Sequence, residues 1–173
     1  MPFLNRVFLV FLGCFIAIIM AFPPGPKLVT SSDPIFDVKA SNALFFHNIR
    51  SFYYERKEWP ERKMIGFNHK KTADHPLQIM ILQHQINQQI YLRLYWLDSV
   101  PNTALIINQE TFFLEDKNSE YHWQAGKALY HSLQNEEQVF KLSEHKKEIL
   151  YNDEKSKQKA LEVLYDYFHA VGH

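Results

Sequence analysis

The 173-residue chain has one cysteine, Cys14, and only five glycines. Cys14 lies inside an apolar run, so everything after that run is free of thiols. Disulfide stapling, thiolate metal sites and cysteine nucleophiles are therefore excluded from the rest of the chain. Lipidation of Cys14 fits poorly, because Phe15, Ile16, Ala17 and Ile18 follow it where a polar mature start is needed. There is no glycine-rich phosphate loop and no serine in a G-x-S-x-G elbow. Net charge is missing too, since 19 basic residues balance 19 acidic ones. The basic pairs Arg56-Lys57, Arg62-Lys63 and Lys70-Lys71 are diluted by Glu55, Glu58 and Glu61, which excludes nucleic acid as a partner.

What is present begins with Val7–Phe22, sixteen residues without a charge, behind Arg6 and ahead of Pro23-Pro24-Gly25-Pro26. A membrane span needs roughly 17–25 residues, whereas a signal-peptide core needs about 7–15. Residues 1–22 therefore read as a signal-anchor, with Phe3 and Leu4 joining the span, or as a signal peptide cut after Ala21. In both readings Arg6 holds the N-terminus on the cytoplasmic side, and the remainder lies outside the cytoplasm. Residues 23–36 form a Pro/Ser-rich linker, and residues 37–173 are the size of a single extracytoplasmic domain.

Within that domain the apolar spacing predicts a helix from Ser41 to about Glu58. Its stripe is Phe45, Phe46, Ile49, Phe52 and Tyr53, and Trp59-Pro60 ends it. Residues 64–68 predict a short strand. Leu77–Ile86 and Gln89–Leu97 predict a hairpin turning at Asn87-Gln88, apolar on both faces and so expected to be covered on both. Thr103–Asn108 and Thr111–Glu115 read as two further strands, and Asp116–Ser119 as a turn. Gln124–Asn135 reads as a helix, and Gln138–Ser143 with Glu148–Tyr151 as a third hairpin. The last helix is capped by Asn152 or Asp153, carries the stripe Leu161, Leu164, Phe168 and Val171, and stops at Gly172. The expected fold is α+β: one antiparallel sheet of five to seven strands, with a helix near its start and a long C-terminal helix packed on it, preceded by the N-terminal hydrophobic helix.

Nine histidines are the obvious place to look for chemistry. None forms the H-E-x-x-H pattern of a helical zinc pair: His169 and His173 are four apart, but Ala170 stands where the Glu is needed. His69, Asp74 and His75 with a distant His84 form the only set worth testing as a metal site or hydrolase centre, and the expectation is that they are ordinary surface residues with no cofactor. Glu55, Glu58, Asp98, Glu110, Glu115 and Asp166 are carboxylates without a singled-out pair. The remaining reading is a non-catalytic accessory or interaction domain of the cell envelope, held to the membrane by residues 7–22 and contacting an envelope protein. Tyr53, Tyr54, Trp59, Tyr91 and Tyr95 are the candidate contact residues. A small-ligand-binding domain is the alternative.

Overall fold

The computed structural model describes residues 34–39, 42, 46–70, 75–98, 100–115, 117–144 and 146–172. The apolar segment 7–22, Cys14 and Asp74 lie outside the described residues. Among the described residues no helix is long and apolar enough to cross a membrane.

The fold is α+β and antiparallel, but its strands form two four-stranded sheets where one was expected. The first sheet contains β1 (Tyr54–Trp59), β2 (Met64–His69), β3 (Leu77–His84) and β4 (Ile90–Trp96) in simple meander order. The second contains β5 (Ala104–Ile107), β6 (Glu110–Phe113), β7 (Val139–Ser143) and β8 (Lys146–Ile149) in the order β6-β5-β7-β8. Among the described residues two long helices complete it: α1 (Ser119–Gln134), inserted between the two hairpins of the second sheet, and α2 (Glu154–Ala170). The β5–β6 connection needs two left-handed residues, supplied by Asn108 (φ 48°) and Gln109 (φ 72°), the geometry of a two-residue hairpin turn.

The predicted helix over residues 41–58 is corrected at its C-terminal end: Asn42 is helical, residues 41 and 43–45 lie outside the described residues, and from Tyr54 the chain is a strand. Two short helical turns, Phe46–Arg50 and Ser51–Tyr53, lead directly into strand β1. Phe46 enters the core, but Phe52 is 74% exposed and Tyr53 46% exposed, so these two members of the expected stripe do not pack; Phe45 and the Ile49 side chain lie outside what the structure describes. The segment becomes a strand because β2 pairs with all six of its residues, from Tyr54 opposite His69 to Trp59 opposite Met64. Helix α1 begins earlier than expected, since Asn118 acts as its N-cap and accepts from Tyr121 N at 2.9 Å. The C-terminal helix starts where expected, with Asp153 accepting from Ser156 N at 2.9 Å.

The core lies between the first sheet and the helices. Odd-numbered residues of β2 and β3 and even-numbered residues of β4 share one face. That face brings Phe67, Ile79, Ile81, Leu92 and Leu94 against Trp123, Leu129, Val163, Leu164 and Phe168. Gly126 lets α1 sit directly on β4, because a Cβ there would overlap Leu92, which is 1% exposed. The edge of β4 is closed: Ile90 N donates to Phe36 O at 2.9 Å, and Leu94 N donates to His122 Nδ1 at 3.4 Å. The opposite edge, β1, is open but carries Glu55, Arg56, Lys57 and Glu58, all exposed, which guards it against strand addition. Lys141 of β7 ties the two sheets together. Its ammonium lies 2.5 Å from Asp98 Oδ2, just beyond β4, and 5.3 Å over the Trp96 ring.

Candidate binding surfaces

The histidines proposed for metal or hydrolytic chemistry occupy separate places. His69 is buried at the end of β2, edge-on to the Tyr54 ring with centroids 5.3 Å apart, and its Nε2 lies 3.7 Å from Glu162. His75 stacks on Tyr151 at 4.7 Å and its ring nitrogens meet the carbonyls of Leu77 and Leu150. His84 caps the β3–β4 turn, its Nδ1 accepting from Ile86 N at 3.3 Å. Among the described residues no group of three or more His, Cys, Asp or Glu side chains is placed to hold a metal. Each histidine has a structural job, and the three share no cleft.

The carboxylates divide in the same way. Asp98 is taken by Lys141, and Glu58 by Arg56 at 2.7 Å. Asp166 is the exception in burial, with its side chain fully enclosed. Arg50 Nε donates to both of its oxygens, at 2.8 and 2.9 Å, and Tyr54 Oη donates to Oδ2 at 2.7 Å. Burial pushes the Asp166 carboxyl above its usual range even though Arg50 and Tyr54 pull the other way. Burial, followed by the Asp166 charge, raises Tyr54 well above an ordinary phenol, so it stays a donor. At Arg50 the balance reverses: burial of the guanidinium opposes its charge, but pairing with Asp166 outweighs it. The difference follows exposure, which is 22% for the Arg50 side chain and none for Asp166. This triad bolts α2 to the start of β1 and faces no cleft of its own. Tyr54, expected as a contact residue, is thereby placed in the core.

Three concave or flat surfaces remain. On the helix side, beyond the reach of α1 and α2, a half-open cleft of about 490 Å³ is lined by His47, Ser51, Arg56, Gln83, Gln85 and Gln88 over Ile65 and Phe67. Its serine and histidine do not form a catalytic pair, because Ser51 Oγ donates to the His47 carbonyl. Burial and then Arg56 lower the pKa of His47.

On the other face of the first sheet the register places Lys57, Gly66, Leu82 and Tyr91 in one row, and Glu55, Asn68, Met80 and Arg93 in the next. Among the described residues no helix covers this face, where the expectation was that both faces of the β3–β4 hairpin are packed. It carries a groove of about 530 Å³. Of the expected contact residues, Trp59 and Tyr95 line that groove. Tyr91 ends the row of Lys57, Gly66 and Leu82, its ring 5.0 Å from Phe36. Tyr53 is exposed elsewhere, under the Arg50 guanidinium at 5.0 Å.

The third surface was not anticipated. Opposite the α1-facing side of the second sheet, register places Thr111, Ile106, Phe140 and Ile149 in one row and Phe113, Ala104, Leu142 and Lys147 in the next. Phe113 is 47% and Ile149 46% exposed, with Ile106, Phe140 and Leu142 half-buried. None of these five side chains belongs to the core or to the apolar fringe packed on it. Lys147, 4.0 Å over the Phe140 ring, is the one charge in the two rows. The signal available in the sequence was the unbroken run Ala104–Ile107. Such a strand is apolar on both faces, and helix α1 covers only one.

Comparisons with known protein families, with curated proteins and with solved structures return no match to this chain.

Proposed function

We propose that this chain is a non-catalytic interaction domain of the cell envelope, membrane-anchored or exported by residues 1–22, that docks a protein partner on the open face of its second sheet. The observation that carries the reading is the uncovered apolar set Ile106, Phe113, Phe140, Leu142 and Ile149. Five adjoining apolar side chains outside the core are unusual on a free surface and typical of a protein-binding one. The flat, nearly uncharged rows suit another apolar sheet or helix face, in contrast to a small ligand, which needs a cavity. Against a catalytic role stand the separated histidines and the absence of a nucleophile–base contact in the helix-side cleft.

Two measurements check this reading. With a photo-crosslinking residue at Phe113 or Ile149 of the full chain in its own cells, both positions are expected to give the same discrete heavier adduct. A probe at Lys155, exposed on α2, is expected to give none. Recovery of monomer alone from both face positions would remove the proposal. For the location, alkaline washing is expected to leave the chain in the membrane fraction with residues 1–22 intact, and protease added from outside is expected to digest the domain. A mature N-terminus at residue 22 would replace the anchor with export, and protection from the protease would refute both.

A further inference from the structure

The groove on the open face of the first sheet has a different chemistry from the docking face of the second. Its floor is apolar and unusually low. Gly66 offers bare backbone, and Trp59 lies across it: a Cβ at residue 66 would come within 2.5 Å of the indole and 2.9 Å of Met80 Sδ. Met64 and Leu82 complete the floor with Met80, which is 7% exposed. Thioethers adapt to varied apolar shapes. Trp59 and Tyr95 form the walls, and Asn68 Nδ2 donates to Tyr95 Oη at 3.0 Å, so the phenol keeps its own proton for a ligand oxygen.

The rim carries charge of one sign. Lys57, Arg62 and Arg93 line the groove, and among the described residues no carboxylate does. None of the three forms a salt bridge among the described residues; Lys57 lies 5.3 Å over the Trp59 ring instead. The nearest acids are placed elsewhere. Glu58 points to the other face and is taken by Arg56, and Glu61 is in the turn Pro60–Arg62. Glu55 shares the open face and stands two residues from Lys57 on β1, outside the groove lining, and is three strand spacings or about 14 Å from Arg93. An apolar trough of about 530 Å³ with a few convergent polar groups has the size and make-up of a small-molecule site.

We propose that this groove binds a small anionic amphiphile, with its apolar body on Gly66, Met80 and Leu82 between Trp59 and Tyr95, and its acid group held by Lys57, Arg62 and Arg93. Unpaired cations around a dry floor favour an anion over a neutral or cationic ligand. The concavity favours a free molecule over a bilayer. A face that inserts into lipid projects its aromatic rings outward, whereas this indole is held against Gly66 and Met80 is 7% exposed. The proposal does not depend on the docking face of the second sheet.

The test uses the full chain in phosphatidylcholine nanodiscs at pH 7.5, with empty nanodiscs as the baseline and energy transfer from tryptophan to pyrene as the readout. The probes are 4-(1-pyrenyl)butyrate and its neutral amide. The acid is expected to bind at least tenfold more tightly than the amide, and to weaken between 50 and 500 mM salt. Lys57→Glu and Arg93→Glu, both at exposed positions, are each expected to weaken the acid tenfold or more and leave the amide unchanged. Gly66→Ala is expected to unseat the indole and weaken both probes, and Lys155→Glu to change nothing. Equal binding of acid and amide, or indifference to the charge reversals, would overturn the proposal. Capture by phosphatidylglycerol vesicles that depends on Lys57 and Arg93, without binding of the free acid, would overturn it in favour of a membrane surface.

Discussion

Replacing Asp166 with alanine is expected to lower the folding stability by about 3–5 kcal/mol, measured as a shift of the urea midpoint at constant m-value. The loss has three parts. The two Arg50 bonds and the Tyr54 bond disappear together. The Tyr54 hydroxyl, in a residue 4% exposed, then has no acceptor, which costs about 1–3 kcal/mol by itself. A void also opens under α2. Tyr54→Phe removes one bond to a charged acceptor and leaves Arg50 in place, so its expected cost is smaller, about 1.5–3 kcal/mol. Because the groups touch, the two substitutions are expected to be non-additive in a double-mutant cycle. The pH dependence has a definite sign. The native Asp166 carboxyl titrates above the ordinary value of 3.8, so between the two values the native state holds the proton more tightly than the unfolded state. This group therefore adds stability at low pH that is lost as pH rises through that window. Arg50→Met removes the compensating charge, pushes the carboxyl further up and is expected to steepen that loss. Asp166→Asn is expected to abolish it.

The second large effect comes from His122 and has the opposite sign. Burial, followed by the charge of Arg93, lowers its pKa from 6.5 to about 4. The residue is 4% exposed, and its Nδ1 accepts from Leu94 N at the edge of β4, so the neutral ring carries its proton on Nε2. Between pH 6.5 and about 4 the unfolded chain binds a proton that the native state refuses. The stabilising contribution is complete above 6.5 and is lost as pH falls to about 4. At about 1.4 kcal/mol per pH unit the gap corresponds to roughly 3–4 kcal/mol. His122→Gln keeps an acceptor for Leu94 N without a titrating group. Urea midpoints at pH 7, 5 and 4 are expected to fall for the parent chain and to stay flatter for His122→Gln. Equal slopes for the two proteins would show that the acid sensitivity arises elsewhere.

Local chemistry made some of the fold legible in the sequence. The β3–β4 hairpin was readable because two apolar runs flank a short polar turn, and the final helix because Asp153 caps a clean stripe. Strand β1 was not, because an edge strand with four exposed charged residues has no apolar alternation to read. Its identity is imposed by β2, a tertiary pairing that overrides the aromatic spacing. The division into two sheets was hidden for a similar reason: β7 pairs with β5 across the whole of α1. The Arg50–Asp166–Tyr54 triad joins residues 112 to 116 positions apart and left no trace in any local pattern. The candidate surfaces were legible only in part. Aromatic content singled out Trp59 and Tyr95 as contact residues, and both line the groove of the first sheet, yet it also singled out Tyr54, which is core. The apolar face of the second sheet is made mainly of aliphatic and phenylalanine side chains in short runs. Which of them point outward is decided by where α1 lies, and that is settled only when the chain has folded.

The central claim is that the apolar face of the second sheet serves a partner and not the fold. It is tested most directly by the double variant Phe113→Lys/Ile149→Glu, measured for both stability and partner capture in the full chain. Both side chains are nearly half exposed, so charges there are expected to change the folding stability by no more than about 1 kcal/mol. The adduct formed by a crosslinker placed at Phe140 is expected to disappear. A variant that unfolds would show that the face is structural, and one that keeps both its stability and its adduct would show that the partner docks elsewhere.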